Sequence, residues 1–124
     1  MERDHTTVFA ILSCAAHIYE KMVQYDDAIQ VYAQLIECLQ EEHDDDDTQE
    51  NERRKIYAFS HMTYIYLTQK DYVSCLHTLY RLLKHQQALL IRSNHPDIER
   101  TKLSITKLET IVKSQQSDRG HHWR

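Results

Sequence analysis

YDDAIQVYAQLIECL, residues 25–39, decides the fold. Ala28, Ile29, Tyr32, Leu35, Ile36 and Leu39 recur at steps of three and four, the spacing of a helix with one apolar face. Asp26 and Asp27 stand where the positive end of the helix dipole favours them, so a helix over about 26–42 is predicted. The preceding stretch, about 5–22, carries Val8, Leu12, Ala15, Tyr19 and Met22 on one stripe. Asp4 can cap its start, and Lys21 suits the negative end of its dipole. Only Val23 to Tyr25 separate the two helices, and a link that short makes them an antiparallel hairpin.

Further along, EEHDDDDTQE (41–50) is a block of like charges that buries no apolar surface and reads as a solvated segment, with the acidic loop between the repeats at 43–48. Asp47 and Glu50 have the spacing of a capping box. A third helix is predicted over about 49–69 with Ile56, Phe59, Met62 and Tyr66 inward. A fourth, over about 72–92, carries Cys75, Leu76, Leu79, Leu82 and Leu83. In RSNHPDIER (92–100), Asn94 or His95 can cap and Pro96 suits the first helical position, where no N–H is needed. The fifth helix places Ile98, Thr101, Ile105, Leu108 and Val112 on one face. Beyond Lys113, SQQSDRGHHWR lacks periodicity; residues 1–115 are read as one domain and 116–124 as a disordered tail.

Sliding the first hairpin by 47 residues lays it on the second. Leu12 falls on Phe59, Ala15 on Met62, Ala16 on Thr63 and Tyr19 on Tyr66. In the partner helices Tyr25 falls on Tyr72, Ala28 on Cys75, Tyr32 on Leu79 and Leu35 on Leu82. The chain is therefore all-α, with helical hairpins repeated and stacked.

Composition narrows the function. One glycine (Gly120) and one proline (Pro96) leave nothing from which to build hairpin-sheet turns or phosphate-cradling loops. No stretch approaches the roughly 20 apolar residues of a membrane span, and MERDHTTVFA opens on charges, so a cytoplasmic protein away from membranes is expected. Cys14, Cys38 and Cys75 are an odd number on apolar stripes, where free thiols serve as small hydrophobes. The net charge of −4 hides an asymmetry: residues 1–52 hold 14 acids against two bases, and 53–124 hold 13 bases against five acids. Such polarity favours oriented binding or head-to-tail self-association.

On these residues the chain resembles the tetratricopeptide repeat, in which a large, a small and an aromatic residue on helix A precede a tyrosine-led helix B. YDDAIQVYAQLIECL supplies Tyr25, Ala28, Ile29 and Tyr32 at the packing positions, and Ala16 stands at the small position of close helix approach. YIYLTQKDYVSCLHTLYRLL (64–83) is the second unit, and NHPDIERT (94–101) is similar to the His-Pro-Asp opening of the longer repeats of kinesin light chains. Where the family has a glycine after helix A, this chain has Val23 and Lys70. Glu109 replaces the aromatic of a third unit, so two repeats and a capping helix are expected, in a short α-solenoid.

The resemblance implies a concave groove lined by the A helices. Its positions would be Ala10, Ser13, His17 and Glu20 on the first helix and Tyr57, Ser60, Tyr64 and Leu67 on the third. On the fifth they would be Arg100, Leu103, Lys107 and Thr110. A groove with aromatic anchors and two cations fits a peptide segment with an apolar anchor and acidic flanks. The blander expectation is that Tyr57 and Tyr64 pack against a neighbouring helix. The Lys and Asn with which some members clamp a C-terminal carboxylate are replaced by Ser13, His17, Ser60 and Tyr64.

Nine histidines raise the question of metal, but no HxxxH or CxxC pair occurs and His43 with Asp44–Asp47 lacks the glycine of a calcium loop, so no metal or cofactor is expected. No nucleophile has a base and an orienting carboxylate at a readable spacing, and catalysis is not expected. The rival to peptide binding is RNA or an anionic surface held by Arg53, Arg54, Lys55, Arg81, Lys84, Arg92, Arg100 and Lys102.

Overall fold

The computed structural model describes residues 5–40, 48–89 and 95–121, and among these all regular structure is helical. The five helices are α1 (His5–Lys21), α2 (Tyr25–Gln40), α3 (Thr48–Thr68), α4 (Tyr72–Leu89) and α5 (Pro96–His121). Each packs on the next in the chain, and α1 also touches α3. No close backbone approach links α2 to α4 or α3 to α5 among the described residues. Two hairpins and a final helix are thus stacked in chain order, as in a helical repeat. None of the described helices is long and apolar enough to cross a membrane.

The two hairpin turns are built alike, 47 residues apart. After α1, the Gln24 N–H donates to the Tyr19 carbonyl at 2.9 Å and the Val23 N–H to the Glu20 carbonyl at 3.1 Å. After α3, Asp71 donates to Tyr66 at 2.9 Å and Lys70 to Leu67 at 3.0 Å. This pair of bonds is the Schellman motif, which satisfies the last carbonyls of a helix by turning one residue left-handed. Val23 and Lys70 are those residues, at φ 61° and 60°. Neither is glycine, so a Cβ crowds the backbone at both turns, most severely at β-branched Val23. Asp71 then caps α4 by accepting from the Ser74 N–H at 3.2 Å, and His95 caps α5 by accepting at Nδ1 from the Asp97 N–H at 3.1 Å. Asp4 and Asp47, predicted as caps, lie outside the described residues.

The core follows the predicted stripes. Ala28, Tyr32 and Leu35 on α2 and their counterparts Cys75, Leu79 and Leu82 on α4 are all buried. Ile98, Thr101, Ile105 and Leu108 of α5 are buried as expected, against α4. The first helix departs from the expectation. Its most buried residue is Ala16, with Phe9, Leu12 and Tyr19 partly covered, whereas Met22 lies in the turn after α1 and is 58% exposed. Cys14 is exposed and Cys38 half-covered; only Cys75 is a core thiol. The tail also departs: α5 continues past Lys113 to His121. No proline interrupts that stretch and its glycine comes only at 120, so a formed helix propagates although no apolar face anchors it.

Comparing equivalent positions shows what stacking adds. Ala58 and Ile65 on α3 are fully buried, while Ile11 and Ile18, 47 residues earlier on α1, are 62% and 53% exposed. The second hairpin has the first packed on it, and the outer face of α1 has no such neighbour among the described residues. Because Val23 is itself exposed, replacing it with glycine relieves the left-handed strain without emptying a cavity. Val23→Gly is expected to raise stability by about 1 kcal/mol and Lys70→Gly by less, as read by urea denaturation; destabilisation by Val23→Gly would contradict the strained turn.

Candidate functional site

The side chains of chemical interest converge where α1, α2 and α3 meet. Tyr32 on α2 has no exposed surface, so its hydroxyl must find a partner inside the protein. That partner is Glu20 on α1, whose Oε1 accepts from the Tyr32 hydroxyl at 2.9 Å. The same oxygen lies 3.1 Å from Nδ1 of His61 on α3, and because a carboxylate only accepts, His61 donates there. The Glu20 side chain is only 12% exposed. Its charge is held by two donors from two other helices.

Aromatic rings wall the junction. His61 lies face to face with Tyr32, centroids 5.3 Å apart, and is tilted against Tyr57 at 4.4 Å. Phe9 meets the edge of Tyr57 at 5.5 Å, and the His17 ring stands edge-on to His61 at 6.3 Å. Burial pushes the Tyr32 hydroxyl far above the ordinary phenol range, and the hydrogen bond to Glu20 and its charge add to this. Tyr57 is raised as well, by burial first and then by Glu20.

Of the residues expected in the groove, the structure brings His17, Glu20 and Tyr57 together, with His61 among them. Tyr57 is half-buried against the core, as the packing expectation had it. Tyr64 and Leu67, one and two turns beyond His61 on the same helix, are 59% and 49% exposed. Ser13 and Ser60 turn their hydroxyls back to the carbonyls of Ala10 (3.4 Å) and Ile56 (2.7 Å). Arg100, Leu103 and Lys107 are exposed on α5, which rests on α4 and among the described residues does not approach α3. The structure therefore does not join them to the α1–α3 stripe. His61 was missed because it lies one residue beside the expected stripe, and no spacing rule connects it to residues 41 and 44 positions earlier.

The basic residues are largely engaged. Arg54 is buried, donating to Asn51 at 3.2 Å and Thr6 at 3.0 Å with its guanidinium over Phe9. Lys55 pairs with Glu52 at 3.3 Å, Arg53 with Glu50 at 3.2 Å, and Arg81 covers the Phe59 ring at 4.8 Å. Glu52 also receives His85 at 2.6 Å, tying α3 to α4. On the other side of the stack, Tyr80 donates to Glu109, and Leu76 with Val112 lines an open cleft between α4 and α5.

No protein-family model, curated protein or solved structure matches this chain.

The buried phenol has a consequence in base. An unfolded tyrosine ionises near pH ~10, whereas Tyr32 stays protonated in the folded chain, so the unfolded state binds fewer protons above that pH. Its stabilisation is complete below pH ~10 and is lost as pH rises further. Tyr32→Phe is expected to reduce the alkaline slope of stability by up to about 1.4 kcal/mol per pH unit, measured by denaturant midpoints on either side of pH ~10. An unchanged slope would show that the hydroxyl is not shielded.

Proposed function

We propose that this chain is a non-catalytic protein-interaction module, a short solenoid of the tetratricopeptide-repeat type with the longer, kinesin-light-chain-like units, that acts as an adaptor in a cytoplasmic assembly. The observation that carries the reading is the exposure of Tyr64 and Leu67 on α3, beside the α1–α3 junction and on a helix whose other face is buried. Large apolar side chains in water next to a rigid aromatic floor are the usual anchors of a binding surface. The floor here is Tyr57, set by Phe9, Tyr32 and His61.

The partner is an extended peptide segment that places an apolar side chain against Tyr64 and Leu67. Acidic flanks have Lys107 as their cation on α5, away from the α1–α3 stripe, since Arg100 already pairs with Asp97 at 3.5 Å. The rival reading, RNA or an anionic surface, draws on bases that are mostly occupied: Arg54 is buried, and Arg53, Lys55, Arg100 and Lys102 each have a carboxylate within 4.0 Å. Self-association has its own support in the apolar outer face of α1, where Ile11 and Ile18 hold positions that α3 buries.

Selecting peptides from a displayed library against the full chain tests the reading. Peptides with a bulky apolar residue should be enriched, and Tyr64→Ala should weaken their binding at least about tenfold. The same variant should cost under ~1 kcal/mol of stability because the ring is exposed, against ~3–5 for a core aromatic. Unaltered peptide affinity in Tyr64→Ala would refute the groove.

A further inference from the structure

Residues far apart in the chain assemble a ligand set at the α1–α3 junction. One ring nitrogen of His17, one of His61 and a carboxylate oxygen of Glu20 all lie within 4.8 Å of one another. Two imidazoles and one carboxylate are the donors that a zinc ion takes when it keeps a fourth position for water or another ligand. In a tetrahedral site with bonds of about 2.0–2.1 Å the ligand atoms stand roughly 3.3 Å apart, so the widest separation must contract by up to about 1.5 Å. His17 is exposed and free to make that movement by side-chain rotation, whereas Glu20 and His61 are already held.

We infer that His17, Glu20 and His61 form a zinc-class metal site that clips the first hairpin to the second. His17 and Glu20 are three residues apart on α1 and so share a face, and His61 comes to them from the adjacent helix. The groups behind the ligands are those of a prepared site. Tyr32 donates to Glu20 and fixes its carboxylate, while the rings of Tyr32 and Tyr57 confine His61. Such supporting contacts orient ligands before a metal arrives and raise affinity for it. The donor set is too rich in nitrogen for calcium or magnesium, which take oxygen. It lies on rigid helices instead of a loop, which favours a defined geometry.

The test is titration of the full chain with Co²⁺, read by visible absorption, and with Zn²⁺, read by calorimetry. The expected result is one ion per chain with the intense absorption of low-coordinate cobalt, displaced by Zn²⁺. His17→Ala removes an exposed ligand without touching the core, and Glu20→Gln removes the charge while keeping the shape; each should lower affinity at least about tenfold. Tyr32→Phe should lower it by about 10-fold through loss of the supporting hydrogen bond. Zn²⁺ should also raise the Tm of the parent chain by more than that of His17→Ala at the same concentration. The double variant His121→Ala/His122→Ala should bind as the parent does. Absence of binding, or binding that survives His17→Ala and Glu20→Gln but is lost with the two terminal histidines, would overturn the assignment.

Discussion

A phenol hydroxyl sealed inside a helical stack must be given an acceptor, and this constraint organises the junction between the two hairpins. Tyr32 is wholly buried, and leaving its O–H unpaired would cost on the order of 1–3 kcal/mol. Glu20 supplies the acceptor, but a nearly buried carboxylate needs donors in turn, and His61 comes from the second hairpin to provide one. Three helices are thereby tied through one oxygen atom. The first hairpin packs on the second mainly through α2 and α3, and where α1 reaches α3 this polar network and the aromatic rings around it add contacts of defined geometry.

The consequence is a division of labour within each hairpin. Apolar stripes hold a helix to its own partner, α1 to α2 and α3 to α4, and on α2 and α4 the equivalent core positions Ala28/Cys75, Tyr32/Leu79 and Leu35/Leu82 are all buried. Polar and charged contacts then tie elements together more specifically: Arg54 reaches Thr6, and Glu52 takes His85. Several basic residues of the second half have partners, Arg53 and Lys55 within α3 and Arg81 over the Phe59 ring of α3, which offsets part of its formal positive charge.

Periodicity and turn length made the helices and their pairing legible, because a stripe at steps of three and four reports which side of a helix is dry. The offset of 47 residues was legible too, and it reappears in the structure as two Schellman turns with matching hydrogen bonds. Other features had no local signal. A stripe does not reveal where a helix stops, and Met22, in step with the inward positions of α1, lies in the turn just after it. Nor does it reveal which neighbour covers a second face, and Cys14, exposed on α1, could not be told from His61, its half-buried equivalent on α3. The continuation of α5 to His121 has a different origin: an existing helix gains one hydrogen bond for each residue it adds, and that extension needs no apolar period to read. The convergence of His17, Glu20 and His61 depends on the angle between hairpins, a quantity that single-helix periodicity does not contain.

The last helix holds a different position from the rest. Among the described residues α5 is supported by α4 alone, while every other helix touches at least two neighbours. Its detachment would therefore uncover part of α4 and leave the α1–α3 junction intact. In a linear stack, free energy is stored interface by interface, and the element with one interface opens at the lowest cost. Slow amide exchange should accordingly be concentrated in α2 and α3, with α5 cycling between docked and free states well before the chain as a whole unfolds.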